Sequence, residues 1–312
     1  MLNFNTIKSG LKNNSPHKLI QRWWYYHSYF KKTCEIINEK KPHEFEIYTV
    51  AFNNEKVIDY QIKLMKKNFK DEHQHIIVDN SSDEAISKEI RKICVDSDIM
   101  YIKLPKNTLF CSQSHALALN YTWRNVIAKR ECLKYFWFLD HDIFPIKETS
   151  VLPYLKNQKM YGYLVDKNRR WYLWDWWFIW PWFCFFDKSI SKKFNFSLYK
   201  NFIPFRALDT GGKNRKHIYK YYKKEDLEFT QRELRGITKN NEDISLNYYQ
   251  IIDWAPTIEN LFYYYEFIKN KEWIHKGSTY YLWDKNSQEY EQYKKAEKSF
   301  FNKLDKNNFI KN

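Results

Sequence analysis

Short runs in which nearly every residue is apolar alternate with longer stretches whose apolar residues recur every three or four positions. Phe45–Ala51, His75–Val78, a run near Ile99–Leu104 and Tyr135–Leu139 read as β-strands. Between the first two, Ile58, Ile62, Met65 and Phe69 share one helical face; between the next two, Ile86, Ile90 and Ile93 do the same. A long helix is expected from about Ser112 to Cys132. This alternation predicts an α/β fold, Rossmann-like, with a mixed, mostly parallel sheet flanked by helices. Ligands are expected at the carboxyl ends of its strands.

The flanks follow other patterns. Ser15 as N-cap with Pro16 at the first helical position predicts a helix from Ser15 to Lys40, an arm carrying the aromatic block Trp23, Trp24, Tyr25 and Tyr26. After Pro145 the strand and helix rhythm stops, and Tyr161–Val165 with Trp171–Phe186 predicts a strand pair. Tyr290, Tyr293, Ala296, Phe300 and Leu304 keep helical spacing, so a C-terminal helix is expected to dock by that face.

Charge changes this picture less than its size suggests. The sum is 52 minus 37, or +15 over 312 residues, which invites a nucleic-acid or anionic-membrane partner. Yet 42 of the basic residues are Lys and only ten are Arg, and Lys travels with abundant Asn, Ile, Tyr and Phe, as an AT-rich coding sequence would impose. A protein that reads bases leans on the Arg fork. Thirteen Trp residues run against that codon bias and point to selection. Five cysteines without a CxxC spacing suit a reducing compartment and no zinc site. The longest uncharged aromatic stretch, Trp176 to Phe186, is broken by Pro181 and too short to span a bilayer, and the first twenty residues lack a signal-peptide core. The expectation is a cytoplasmic chain with, at most, peripheral membrane contact through the aromatic arm or the Lys-rich C-terminal helix.

Two polar clusters sit where strands end. Asp140-His141-Asp142 follows four apolar residues, and two carboxylates at a buried strand's tip can share Mg²⁺ or Mn²⁺ with a diphosphate. Spacing alone means little, since 17 Asp in 312 residues give roughly one such pair by chance, and Asp96-Ser97-Asp98 is another. Asp79-Asn80-Ser81-Ser82-Asp83 can receive a base or ribose edge, or cap the next helix through Ser82 or Asp83.

Taken in order, these pieces resemble family 2 glycosyltransferases over residues 45 to 145. Val50-Ala-Phe-Asn-Asn-Glu55 looks like their opening strand-to-loop motif and Ile76-Ile-Val-Asp-Asn-Ser-Ser-Asp83 like their nucleotide motif. Phe138-Leu-Asp-His-Asp142 resembles their metal motif, and Ser114-His-Ala-Leu-Ala-Leu-Asn120 their small-residue helix ending in Asn. The resemblance implies a GT-A fold, a nucleotide-diphosphate sugar donor, and Mn²⁺ or Mg²⁺. It implies a nucleotide site at Ala51, Phe52, Asn53, Glu55, Asp79, Asn80, Ser81, Asn120 and Asp140. It also implies a metal site at Asp140, Asp142 and His275, with direct displacement and inversion. Ser114 stands where relatives usually have Gly, and Leu119 where they often have Arg. The implied organisation is a helical arm at 1–40, a transferase domain at 41–284 with nucleotide and acceptor halves at 45–145 and 146–284, and a C-terminal helix at 285–312.

The second half offers the acceptor chemistry. Only six glycines serve the chain, so Gly211 and Gly212 after Leu208-Asp-Thr mark a turn or a close approach to ligand. Asp209 before that turn is one candidate general base; Asp243, in an acidic pair expected to open a helix, is another, with Glu225 and Asp226 behind them. Lys276 beside His275 can neutralise a leaving diphosphate. Six tryptophans between Trp171 and Trp182 must partly pack the core, while Trp174 and Trp176 with Asp175 are candidates for a wall that stacks a glycan or lipid-linked acceptor.

Other readings compete. A nucleotidyltransferase wants a Gly-rich loop after its first strand, and Ala51 to Glu55 has no Gly. A basic aromatic nucleic-acid-binding module accounts for the Lys and Trp content but not for the ordered acidic motifs. A catalytically silent relative would account for Ser114 and Leu119.

Overall fold

The computed structural model describes residues 25, 27–107, 109, 111–165, 177–190, 202–203, 206–207, 214, 218–240, 242–246, 251–252, 255–256, 261–276 and 288–306. The chain forms two compact units. Unit 1 gathers Met1–Phe52, Glu72–Asp140 and Tyr154–Glu228; unit 2 gathers Asn53–Asp71, His141–Pro153 and Phe229–Asn312.

Unit 1 is built on a seven-stranded mixed sheet. Its strands are β1 (Glu35–Ile37), β2 (Phe45–Ala51), β3 (Gln74–Asp79), β4 (Met100–Lys103), β5 (Tyr135–Asp140), β7 (Met160–Val165) and β8 (Phe178–Asp187), in the order β1-β4-β3-β2-β5-β8-β7. The central pairs β4-β3, β3-β2 and β2-β5 are parallel, and the flanking pairs are antiparallel. Every residue of β2 and β3 is buried, as expected of parallel strands covered on both faces. Helix α2 (Glu84–Asp96) and helix α3 (Cys111–Asn125) belong to this unit. Asp83 caps α2, its carboxylate accepting from the backbone of Ala85 and Ile86, the cap anticipated in that motif.

Three expectations are corrected here. The helix expected to reach Lys40 does not: residues 27–30 are helical, but Glu35–Ile37 pairs antiparallel with β4 as the sheet's edge. Two β-branched residues there favour the ladder over a helix. Tyr29 anchors this segment, its hydroxyl donating to the Pro105 carbonyl at 2.7 Å and its ring meeting Tyr121 edge-on. Helix α3 stops at Asn125, and a 3₁₀ turn, Ile127–Lys129, takes the remainder. Finally, alternation in β8 does not expose an aromatic face. All ten of its residues are buried, so Trp180 and Trp182 are core, with Trp182 stacked on Tyr163 and Phe185 on Trp137 at 3.9 Å between centroids. Each such side chain contributes about 1.5–3 kcal/mol through burial.

Scarce glycine does mark close approach. Gly162 in β7 lies beside a bulge at φ +156°, where an added Cβ would fall 2.3 Å from the Phe183 carbonyl oxygen. Gly162→Ala is expected to cost roughly 1–3 kcal/mol, read as a fall in Tm; an unchanged Tm would sink this account.

Unit 2 was not anticipated. It holds a five-stranded, wholly antiparallel sheet of β6 (Ile143–Pro145), β11 (Arg232–Thr238), β12 (Asp243–Leu246), β15 (Leu261–Ile268) and β16 (Trp273–His275), in the order β12-β11-β15-β16-β6. Helix α1 (Glu55–Asn68), capped by Asn54, and the last described helix α5 (Gln288–Asp305) complete it. Val57 of α1 shares a core cluster with Tyr263 and Tyr265 of the sheet and with Ala296, Phe300, Phe301 and Leu304 of α5. Helix α4 (Leu152–Asn157) and the two-residue ribbons β9 (Phe202–Ile203) with β10 (Arg206–Ala207) and β13 (Ile251–Ile252) with β14 (Ala255–Pro256) complete the described elements. Among the described residues, no helix is long and apolar enough to cross a membrane.

Candidate active site

In unit 1 the chain runs from β2 outward through β3 to β4, then returns to place β5 on the other side of β2. That reversal is a topological switch point, and the crevice beyond the carboxyl ends of β2 and β5 is where open α/β sheets take ligands. The register brings the expected residues there: Ala51 lies opposite Asp79, and Val50 opposite Asp140.

Each residue at this edge is held differently. Asp79 is fully buried; its Oδ2 accepts from the Ser87 hydroxyl, the Tyr101 hydroxyl at 2.7 Å and Lys103 Nζ at 3.1 Å, while Oδ1 accepts from the Ser81 backbone at 2.8 Å. Burial by itself would raise this carboxyl, but Lys103 and the Ser81 and Ser87 donors outweigh it, and the net displacement is downward. Asp79 thus secures the loop and offers no surface to a ligand, and Asn80 and Ser81 beside it are also buried, each 7% exposed. Asn80 donates to the Ser114 hydroxyl at 2.9 Å and accepts from Asn107 at 2.9 Å. Ser114 therefore ties the loop after β3 to α3. Asn120 is buried within α3, donating to the Ala116 carbonyl at 2.8 Å.

Asp140 ends β5 about a quarter exposed, and His115 of α3 approaches it, Nε2 to Oδ1 3.3 Å. His115 was not singled out from the sequence, although it stands inside the Ser114 to Asn120 motif; only the placement of α3 against the end of β5 gives it a partner. Phe52 is half-buried at the end of β2's loop.

Unit 2 carries the remaining candidates. Asn53 adopts φ +45°, a turn conformation asparagine tolerates, and Glu55 opens α1. Asp142, His275, Glu266 and Arg232 form a buried chain of alternating charge. His275 Nε2 lies 3.4 Å from Asp142 Oδ1, His275 Nδ1 lies 3.4 Å from Glu266 Oε2, and Arg232 donates to Glu266 Oε1 at 2.9 Å. Burial opposes charge on His275, but Asp142 and Glu266 outweigh it and hold the ring well above its ordinary pKa. Both carboxyls are net displaced downward against the upward push of burial, Asp142 by His275 and Glu266 by Arg232 and His275.

Asp142 and His275, two of the three residues expected at a metal site, thus face each other in this structure. Among the described residues, no group of three or more His, Cys, Asp or Glu side chains is disposed to hold a metal ion. Asp140 alone remains accessible, and Mg²⁺ characteristically takes one or two carboxylates with the rest of its oxygens from substrate phosphates and water. Lys276 does not offer a free ammonium either; it is buried, its Nζ 3.1 Å from Glu297 of α5, which also accepts from Asn54 at 2.8 Å.

Asp243 opens strand β12, not a helix, because the ladder to β11 captures the segment. Its Oδ1 accepts from Arg235 Nε at 3.0 Å and its Oδ2 from the Tyr265 hydroxyl at 2.6 Å. Burial first, and Asp243 next, push the Tyr265 hydroxyl far up, so it stays a donor. Asp209, Gly211, Gly212, Trp174, Asp175 and Trp176 lie outside the described residues.

No protein-family model and no curated protein matches the chain. Solved structures that overlap it include the mannosyltransferase PcManGT from Pyrobaculum calidifontis in complex with GDP-Man and Mn²⁺, at TM-score 0.33 and 12% identity over 55% of this chain and 53% of that one. S. aureus TarS overlaps at TM-score 0.33 and 13% identity, over 51% of this chain and 30% of that one. TarS 1–349 in complex with UDP-GlcNAc overlaps at TM-score 0.28 and 17% identity, over 42% and 37%. The chain spans about half the length of the mannosyltransferase and under a third of TarS. Overlaps so partial carry nothing about chemistry.

Proposed function

We propose that the chain is a glycosyltransferase that moves a sugar from a nucleotide-diphosphate donor to a hydroxyl of a glycan or lipid-linked acceptor, with inversion. One observation carries the reading: three motifs that resemble family 2 glycosyltransferases in order lie on adjacent parallel strands and end together at the switch point, at Ala51, Asp79 and Asp140.

In this reading the nucleoside lies along the loops after β2 and β3, against Phe52, Asn80 and Ser81, whose positions Asp79 fixes from below. Asp140 faces the diphosphate and would hold the divalent cation, Mn²⁺ or Mg²⁺; when bound, that cation offsets charge on the departing diphosphate. His115 orients the Asp140 carboxylate. Asp209 is the proposed base that takes the acceptor's proton, since both oxygens of Asp243 already accept internal hydrogen bonds.

The test is thermal shift with nucleoside diphosphates, with and without Mn²⁺. At about a hundred times Kd a ligand specific to the native state adds about 2.7 kcal/mol. Stabilisation by one nucleotide family, with its metal-dependent part lost in Asp140→Ala, is expected; no response to any nucleotide would overturn the reading.

A further inference from the structure

A closed circuit of hydrogen bonds in unit 1 joins the N-terminal segment, residues 27–37, to the loops that follow β3 and β4. Tyr29 is buried; its hydroxyl donates to the Pro105 carbonyl at 2.7 Å and takes a bond from the Asn107 carboxamide. Asn107 in turn donates to Asn80 Oδ1 at 2.9 Å, while its own Oδ1 accepts from the Leu109 backbone at 3.1 Å. Asn80 donates to the Ser114 hydroxyl of α3 at 2.9 Å. About two turns further along α3, the Tyr121 hydroxyl donates to the Lys32 carbonyl at 2.6 Å, which returns the circuit to the segment where it began.

Aromatic packing seats the same segment on α3. The Tyr29 ring meets Tyr121 edge-on at 5.5 Å, Phe30 stacks on Tyr121 at 6.4 Å, and the Arg124 guanidinium lies 4.4 Å from the centre of Phe30. Asn125 donates to the Phe30 carbonyl at 3.4 Å, and β1 extends the attachment by pairing with β4, Glu35 opposite Lys103. Lys103 is the residue whose ammonium reaches Asp79 and the Ser81 carbonyl. The segment thus bears on the loop after β3 by two routes, through Asn107 and through β4.

What the circuit can do follows from where it ends. Asn80 uses both ends of its buried carboxamide inside the protein, so it braces the loop. Its place depends on Asn107, which Tyr29 holds in turn. A loop fixed before a ligand arrives binds more tightly than one that must be ordered on arrival. Ser114 is also the neighbour of His115, which faces Asp140, so the circuit closes beside the carboxylate at the tip of β5.

We propose that residues 27–37 form a strap that pre-organises the nucleotide loop, with Tyr29 a positioning residue that acts through Asn107 on Asn80 and Ser81. The nucleotide rests on the transferase reading; the strap's hold on the loop does not.

The test is Tyr29→Phe in the full chain, which keeps the ring on Tyr121 and removes only the hydroxyl. Without any ligand, amide hydrogen exchange at Asn80, Ser81 and Leu109 is expected to quicken about tenfold. Calorimetry with a panel of nucleoside diphosphates should show about a tenfold loss in Kd for whichever binds wild type, within the roughly 5–150-fold range of coupling between sites. By reciprocity, that nucleotide should slow exchange at Ile36 and Ile37 by a similar factor. Asn107→Ala should lose as much, and the double variant no more than Asn107→Ala alone, since the two residues act in series. Unchanged loop exchange in Tyr29→Phe, or additive losses in the double variant, would overturn the proposal. Faster exchange with an unaltered nucleotide Kd would overturn it as well, leaving Tyr29 a purely structural residue. Faster exchange in Tyr29→Phe when wild type binds no nucleoside diphosphate would overturn the transferase reading and keep the strap.

Discussion

Asp79→Ala is expected to destabilise unit 1 by about 3–5 kcal/mol, the range for leaving the partners of a buried charge uncompensated. Three donors converge on one oxygen of Asp79, from Ser87, Tyr101 and Lys103, and the two hydroxyls are buried with it. The predicted fall in Tm is roughly 10 °C, whereas Ser87→Ala, which removes one hydrogen bond, should cost only about 1 kcal/mol. A loss below that for Asp79→Ala would show that the network is ornamental. The same carboxylate has a pH signature. Its folded pKa lies below the ordinary carboxylate value, so its contribution is fully present above that ordinary value and is lost as pH falls through the folded one. Acid unfolding of wild type and Asp79→Asn should therefore converge as pH falls through the folded pKa; a difference that does not shrink on acidification would contradict the assignment.

His275→Ala is the second large effect. It leaves Asp142 buried opposite Glu266 with no cation between them, again about 3–5 kcal/mol. Glu266 keeps Arg232, so Asp142 is the more exposed to the loss, and Asp142→Asn in the same chain should restore much of the stability. The penalty should be the same in EDTA and in Mn²⁺. A penalty that appears only with metal present would make His275 a metal ligand, as the sequence suggested.

Local pattern carried the parallel core. Phe45–Ala51, the run ending at Asp79 and the run ending at Asp140 each advertise a strand bounded by polar residues, and their end-to-end alignment follows from parallel pairing. Unit 2 was not legible because its defining pairs are distant. β6 meets β16 across more than a hundred residues, Ile143 facing His275, and no local periodicity records such a partner. The Glu242 and Asp243 pair resembles the acidic pair that opens a helix in family 2 glycosyltransferases, but the ladder from Arg235 and the Tyr265 hydroxyl hold it in a strand. His115 stayed silent because a histidine gains meaning only from what faces it.

The bond from Asn54 to Glu297 joins residues 243 positions apart. A ribosome adding about 5–20 residues per second needs roughly 12–50 s to cover that distance. Through that interval Val57 of α1 lacks the Phe300, Phe301 and Leu304 face with which it shares a core. Unit 2 must therefore assemble late, after unit 1's central strands have emerged, and α1 waits through that interval with Val57 uncovered.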